Sequence, residues 1–330
     1  MRTIIFLSLI LVNLSCKNNN EKSFSLRGKT NDLENGTKLY LRHNNKTIDS
    51  ATITDNSFKF STQLDTFPVN IALHDKVFKN YTSFWVVNQP MGFDASQLGF
   101  KNAVITGSEP ERLNNIFKER VDGLKGKERD KAEMQFVKDY PNSIVSVSIL
   151  SVDSRTWGRE ETKTHFELMS KENKSSKFGK QIKKYLELNK QPEIGDRYVD
   201  FESKNISGKS QKLSELEGKT VLLEFWASWC GPCRKENPNL VKTYNEFKNK
   251  GFEIFAVSQD SDKNSWVKAI EQDGLPWMHV SDLKGDQNEA SLIYGIYVIP
   301  DNFLISKDGI IIGRNLKGKE LVKKLEEILY

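Results

Sequence analysis

The segment around two closely spaced cysteines constrains the fold of this chain more than any other feature. Residues 220–225 read Thr-Val-Leu-Leu-Glu-Phe, an apolar run of strand length that is typical of a parallel strand buried on both faces. Apolar residues then recur at helical spacing in residues 234–250. The tetrapeptide Cys230-Gly231-Pro232-Cys233 therefore joins a predicted strand to a predicted helix. This order indicates an α/β domain with the first cysteine at the start of a helix.

The predicted position of Cys230 favours a reactive thiol. Unpaired N–H groups and the helix dipole at a helix N-terminus stabilise a thiolate, which lowers the pKa of the thiol. Cys233 lies one turn further, close enough to attack a mixed disulfide on Cys230. A structural disulfide across so short a loop would contribute little stability. A zinc site needs about four ligands, and the chain has three Cys and four His without a second Cys pair. We expect a redox dithiol and no metal.

Five segments of residues 191–330 carry a resemblance to a known family. They are the lead-in Gln191–Gly195, the segment Lys212–Thr220, the active-site run Phe225–Glu236, Pro238 within the helix, and the segment Ile299–Ile305. With these motifs the region resembles the thioredoxin superfamily, and more closely its TlpA/ResA-like branch of envelope-tethered thiol–disulfide oxidoreductases. The resemblance implies an α/β thioredoxin fold. It also implies a redox disulfide in which Cys230 is the attacking thiol and Cys233 the resolving thiol.

The resemblance further implies residues that contact the substrate. Pro300 matches the family's cis-proline, which packs opposite the dithiol and leaves backbone groups free to pair with a substrate chain. The expected substrate-binding residues are Trp229, Gly231, Pro232, Ile299 and Pro300. Trp226 belongs either to the site or to the core. The family usually has Thr after this proline, whereas this chain has Asp301, a difference that can alter substrate contact.

Two acidic residues are candidates for tuning the cysteines. Glu224 stands six residues before Cys230, where thioredoxins have a buried Asp, so the resemblance implies that it takes the proton of Cys233 and later returns it. The alternative, a solvent-facing carboxylate, is disfavoured by the apolar neighbours of Glu224. Glu236 matches an acidic position of the TlpA/ResA-like branch near the active-site cavity. Its alternative is a solvated charge on the helix surface.

Residues 1–22 have the pattern of an exported, lipid-anchored protein. A charged start precedes the apolar run Ile4–Val12, which is too short to span a bilayer and is typical of a secretory signal. The end of residues 1–16 resembles a lipoprotein processing site, with Asn13 in place of the usual Leu, so we expect lipidation of Cys16. Ordinary signal cleavage nearby is the alternative. Residues 17–22 would form a tether. These features predict a periplasmic, membrane-anchored lipoprotein in the cell envelope of a Gram-negative bacterium.

Two further regions precede the cysteine-containing domain. Residues 23–107 read as short strands with turns between them, which predicts a small antiparallel β sandwich or barrel. This region resembles, more loosely, a β domain of unknown function found ahead of thioredoxin-like domains in envelope lipoproteins of Bacteroidetes-type bacteria. Residues 108–190 read as helical, with Ser108 and Glu111 as a capping box and a break at Tyr140–Ser143. This region would act as a spacer or form a dimer surface.

The predicted function is reduction of disulfides in client proteins. Gly-Pro between the cysteines is typical of reducing thioredoxins, whereas oxidases and isomerases usually carry His there. Such a reductant would serve apocytochromes, as in cytochrome c-type biogenesis, or other envelope thiols. It would need an upstream membrane thiol reductase and no cofactor beyond its dithiol. The alternatives are a dithiol oxidase or isomerase, and a binding lipoprotein whose β domain carries the main role.

Two other function classes are disfavoured. A peroxidase of the peroxiredoxin type would have Thr or Ser three residues before the cysteine and Pro four residues further back. Trp226 and Ala227 occupy this region, and no such proline is present. The net charge of +5 is modest, and Lys and Glu interleave along the chain, so nucleic acid is not an expected partner.

Overall fold

The computed structural model of the protein describes residues 24–330, which divide into two compact units between Arg120 and Val121. The expected signal segment, Cys16 and the tether at residues 17–22 lie outside the described residues. No helix within residues 24–330 combines the length and the apolar character that crossing a membrane requires.

The first unit is a sandwich of two four-stranded sheets. Its strands are β1 (Ser25–Thr30), β2 (Lys38–His43), β3 (Lys46–Thr52), β4 (Ser57–Phe60), β5 (Val69–Asp75), β6 (Tyr81–Val86), β7 (Pro90–Ala95) and β8 (Val104–Thr106). The first sheet has the order β4-β1-β7-β8 and the second the order β3-β2-β5-β6. Apolar side chains at alternate positions meet between the sheets and form one core. The predicted sandwich is confirmed, with the difference that β1 and β7 pair in parallel.

A series of helices follows, as predicted. They are α1 (Glu109–Val121), α2 (Gly126–Asp139), α3 (Ile144–Trp157), α4 (Arg159–Glu167), α5 (Lys171–Ser175) and α6 (Lys177–Leu188). The capping box before α1 is only half formed. Ser108 Oγ accepts the N–H of Glu111, but the Glu111 carboxylate accepts the N–H of Trp85 on β6, because a buried backbone donor there needs a partner. Helices α2–α6 belong to the second unit.

The rest of the second unit has the thioredoxin fold. Its elements are the hairpin β9 (Glu202–Lys204) and β10 (Ser210–Lys212), then β11 (Thr220–Trp226), α7 (Gly231–Phe247), β12 (Phe252–Ser258), α8 (Lys263–Asp273), β13 (Met278–Val280), α9 (Glu289–Tyr294), β14 (Asp301–Ile305), β15 (Ile311–Arg314) and α10 (Gly318–Leu329). The sheet order is β13-β12-β11-β14-β15, with β11 at the centre. Separate apolar clusters cover the two faces of this sheet, and every residue of β11 is buried. The predicted thioredoxin fold is confirmed.

Candidate active site

The two cysteines lie where β11 passes into α7. Cys230 is the residue before the first turn of α7; its backbone is extended, and its Sγ accepts the N–H of Cys233 at 3.2 Å. Pro232 occupies the first turn, where its missing N–H costs no hydrogen bond. The two sulfurs form a disulfide. Both cysteines are buried, Cys230 with 4 % and Cys233 with 1 % of the residue exposed, and Cys230 precedes the helix whereas Cys233 lies inside it. This arrangement suits Cys230 for attack and Cys233 for resolution.

A buried acid that sequence analysis missed holds the loop before Cys230. The carboxylate of Asp260, at the end of β12, accepts the N–H and the hydroxyl of Ser228 and the hydroxyl of Ser258. Parallel strands present their carboxyl ends at one edge of a sheet. Asp260 comes just after β12, so its place in the sequence could have predicted that it lies beside the end of β11.

Arg234 fastens the same loop to α8. Its guanidinium donates to the carbonyl of Ser228 at 3.1 Å and to both oxygens of Asp273. The hydrogen bonds with Asp273 raise the pKa of Arg234, and those from Arg234 and Asn237 hold the pKa of the Asp273 carboxyl below its usual range despite partial burial. The backbone on both sides of the dithiol is thus fixed by charge-assisted bonds.

The segment opposite the dithiol contains the predicted proline. The Ile299–Pro300 peptide bond is cis, and the carbonyl oxygen of Ile299 lies 3.7 Å from Cys230 Sγ. Asp301 stands where the family usually has Thr. Its buried carboxylate pairs with Arg314 on β15 at 2.8 Å, so this difference affects the packing between β14 and β15.

An apolar rim adjoins the disulfide. Trp229, one residue before Cys230, is 66 % exposed, and Tyr297 and Val298, just before Ile299, are also mostly exposed. Gly231 and Pro232 are exposed as well. Trp226, by contrast, is buried and packs 5.6 Å from the His279 ring, which assigns it to the core. Exposed large apolar side chains around a reactive group are suited to contact with another polypeptide.

Glu224 places a carboxyl group inside the central strand. Side chains alternate along a strand, so Glu224 shares a face with Leu222 and Trp226, and both of these belong to the cluster that contains Cys230 and Cys233. Burial raises the pKa of Glu224 to about 8, whereas a hydrogen bond from Asn302 and the charge of Lys317 act in the opposite direction. The solvent-facing alternative is therefore wrong for this residue. Its oxygen Oε2 has no hydrogen-bond partner among the described residues.

The carboxylate of Glu236 is held by two hydrogen bonds, whereas its expected role in tuning the cysteines stays a prediction. One carboxylate oxygen accepts the N–H of Gly318 at the start of α10 at 2.8 Å, and the other accepts the Asn239 side chain at 3.0 Å. The half-buried carboxylate thus joins α7 to α10 rather than standing free in solvent. Its negative charge acts to raise the pKa of Glu224, after the larger effect of burial.

The helical region supplies a second feature that sequence analysis missed. Arg155 on α3 donates from Nη1 to the carbonyls of Asp286 and Ile296, both at 3.0 Å. Ile296 immediately precedes the exposed pair Tyr297 and Val298. The Asn189 side chain after α6 donates to the carbonyl of Leu292 at 2.9 Å. The helices therefore hold the backbone that leads into the cis-proline segment.

The expectation that the site holds no metal concerns the described side chains around the disulfide. Within residues 24–330, no group of three or more His, Cys, Asp or Glu side chains is arranged to hold a metal ion.

Comparisons with known proteins give matches in both units. The AhpC/TSA family matches residues 194–314, and a domain of unknown function, DUF4369, matches residues 24–113. Among curated proteins, the thiol–disulfide oxidoreductase ResA of Bacillus cereus is 34 % identical over 145 residues, which are 44 % of this chain and 82 % of that protein. ResA of Halalkalibacterium halodurans is 33 % identical over 137 residues, which are 41 % of this chain and 76 % of that protein.

Solved structures match the same part of the chain. The C-terminal domain of a putative thiol–disulfide oxidoreductase from Bacteroides thetaiotaomicron is 37 % identical, covers 42 % of this chain and 97 % of that one, and has a TM-score of 0.41. The thioredoxin domain of a thiol–disulfide oxidoreductase from Bacteroides vulgatus is 36 % identical, covers 42 % of this chain and 99 % of that one, and has a TM-score of 0.40.

Proposed function

Because this chain belongs to the ResA-like family of thioredoxin-fold thiol–disulfide oxidoreductases, we propose that it reduces disulfide bonds of client proteins in the cell envelope. The observation that supports this most directly is the shielded pair Cys230–Cys233, with a carbonyl of the cis-proline segment beside the sulfur of Cys230. A buried carboxyl group lies on the same face of the sheet.

The first step is attack on the client. The Cys230 thiolate, stabilised by the N–H of Cys233 and the start of α7, attacks one sulfur of the client disulfide. One sulfur–sulfur bond forms and one breaks, and the released client sulfur takes up a proton. Backbone groups at Ile299 and Pro300 would pair with the client chain, and the rim of Trp229, Tyr297 and Val298 would cover its side chains.

The second step is resolution. In molecules where Glu224 is ionised, its carboxylate takes the proton of the Cys233 thiol, and the Cys233 sulfur attacks Cys230. Because the pKa of Glu224 is about 8, this ionised form is the minority at neutral pH and grows as the pH rises towards 8. This attack releases the second client thiolate, which is then protonated. A carboxyl group with a pKa of about 8 is close to the ordinary thiol value of about 8.5, so this proton transfer is nearly balanced. Two electrons pass to the client, and the protein ends in the disulfide form. An upstream membrane thiol reductase would restore the dithiol.

The direction of electron flow is tested by the reduction potential of the Cys230–Cys233 pair. We expect a value near that of thioredoxin, about −270 mV or lower, in equilibrium with defined dithiothreitol and glutathione buffers. A value of about −120 to −180 mV would instead make the protein a dithiol oxidase or isomerase.

The location in the envelope is tested at Cys16. Cells given an alkyne-bearing fatty acid should incorporate it into the wild-type chain. The Cys16→Ser variant should remain unlabelled and leave the membrane fraction. Equal labelling of both proteins would contradict anchoring at Cys16.

A further inference from the structure

The first sheet of the β sandwich carries a groove that the redox function does not use. It has a volume of about 830 Å³ and is lined by residues of β1, β4, β7 and β8 and of the loop after β7, and by Thr52 at the end of β3 and by Thr54. Alternation along β1 directs Arg27 and Lys29 outward, while Leu26 and Gly28 are buried. Ligand pockets in proteins commonly occupy about 300–1,000 Å³, so the groove has the size of a small-molecule site.

The basic side of the groove is unusual for a sheet surface. Arg27 on β1 lies directly opposite Lys59 on β4. Like charges in this register destabilise a sheet. Within residues 24–330 neither cation has an ion-pair partner, and the nearby acid Asp94 is already bound by the N–H and hydroxyl of Ser96 at 2.9 and 2.6 Å. A bound anion would offset this repulsion, and the planar guanidinium of Arg27 suits a carboxylate or phosphate group.

The opposite side of the groove carries two exposed apolar side chains beside the polar residues Asp94, Gln97 and Thr106. Val104 on β8 and Leu98 in the loop after β7 are both more than half exposed. Four strands at a spacing of about 4.8 Å place this side about 14 Å from Lys59. Arg27 and Lys59 therefore lie on one side of the groove, and Val104 and Leu98 lie on the other.

Gly92 makes room in the middle of the groove for the side chain of Thr106, which also lines the groove. Gly92 lies in one row between Arg27 on β1 and Thr106 on β8. A Cβ atom at this position would stand 2.5 Å from Thr106 Oγ1, closer than such atoms approach.

We propose that this groove binds an elongated amphiphile that has one anionic group, held by Arg27 and Lys59, and an apolar body that crosses Gly92 to Leu98 and Val104. The proposal is independent of the redox function. A small molecule fits better than a protein strand, because the groove lies across the face of the sheet rather than along an edge, where strands are added.

The test is calorimetric titration of the purified protein with dodecyl phosphate below its micelle concentration. We expect dodecyl phosphate to bind at least tenfold more tightly than either dodecanol or inorganic phosphate. The Arg27→Gln/Lys59→Gln variant should lose at least tenfold in affinity. The matched variant Lys38→Gln/Lys46→Gln, with the same change in charge on the second sheet, should bind as the wild type does.

A second variant tests the apolar side. Leu98→Ser should weaken binding of dodecyl phosphate several-fold, and because Leu98 is exposed, the unfolding temperature should not change. Absence of binding to the wild type would overturn the proposal. Equal affinity for dodecanol and dodecyl phosphate, or unchanged affinity in the Arg27/Lys59 variant, would do the same.

Discussion

Glu224 places a carboxyl group inside the central strand, where its charged form would have almost no contact with water. The folded protein holds this proton up to about pH 8, whereas an ordinary glutamate releases it near pH 4.5. The stability that the protonated group contributes is therefore complete below about pH 4.5. It is lost as the pH rises towards 8, because the unfolded chain binds fewer protons over that range.

We predict that Glu224→Gln flattens this dependence. Glutamine keeps a neutral side chain at every pH, so the loss of unfolding free energy between pH 5 and 8 should shrink by on the order of 3 kcal/mol. Denaturant unfolding of the oxidised protein at several pH values measures the effect. Glu187→Gln on the exposed side of α6 is the matched control and should leave the curve unchanged. Parallel curves for Glu224→Gln and the wild type would contradict the raised pKa.

A separate prediction at the residue scale concerns the two sulfurs. Cys233→Ser leaves the attacking thiol in place but removes the resolving one, so a disulfide-containing client should remain covalently attached to Cys230. Cys230→Ser should form no such adduct, because the remaining thiol of Cys233 lies inside α7 and not at the N-terminus of the helix, where a thiolate is stabilised. Non-reducing electrophoresis after mixing with an oxidised client gives the result. An adduct on Cys233 alone would reverse the assigned roles.

At the scale of elements, α3 and the cis-proline segment are joined by one guanidinium. Arg155 bonds two carbonyls that precede this segment, and burial lowers its pKa below the usual value because its charge has lost hydration. Removing it would leave the carbonyl of the buried Ile296 without this partner, which costs about 1–3 kcal/mol, whereas the exposed carbonyl of Asp286 can bond to water instead. The cis-proline segment would then be held less firmly, although the hydrogen bond between the Cys233 N–H and Cys230 Sγ would remain.

We predict that Arg155→Met raises the KM for a protein client several-fold. The reduction potential of the pair and the rate with the small disulfide dithiobis(nitrobenzoate) should stay unchanged, because neither needs the cis-proline segment. Arg155→Lys should restore part of the loss. Arg159→Met, which removes an exposed arginine at the start of α4, is the control. Equal losses of activity with the protein client and with dithiobis(nitrobenzoate) would instead indicate that Arg155 has a general structural role.

For the whole molecule, each unit has a hydrophobic core of its own. Leu41 is fully buried between the two sheets of the sandwich, and Leu325 on α10 is fully buried against the thioredoxin sheet. We predict two calorimetric transitions. Leu41→Ala should lower the temperature of one transition and Leu325→Ala that of the other. Each substitution should reduce the unfolding free energy of its own unit by about 2–5 kcal/mol. A single transition that both variants shift equally would show that the units unfold together.

Local sequence patterns were sufficient for the elements that carry the chemistry. An apolar run, a Cys-Gly-Pro-Cys segment and a helical pattern follow one another, so the placement of Cys230 before a helix needs no information about distant residues. The apolar neighbours of Glu224 in the same strand predicted its burial for the same reason. Strand alternation likewise predicted a sandwich over residues 23–107, although it did not identify β6, β7 and β8.

The tertiary structure decided which distant groups meet. Arg155 and its two carbonyl partners are 131 and 141 residues apart in sequence, and the Glu236 carboxylate meets Gly318 across 82 residues. Periodicity shows which face of an element is apolar, but it carries no information on which strands become neighbours or in what register. The parallel pairing of β1 with β7 therefore could not be predicted. The same pairing aligns Arg27 with Gly92 and so creates the groove, because the chemistry of a sheet surface is set by residues that only folding brings side by side.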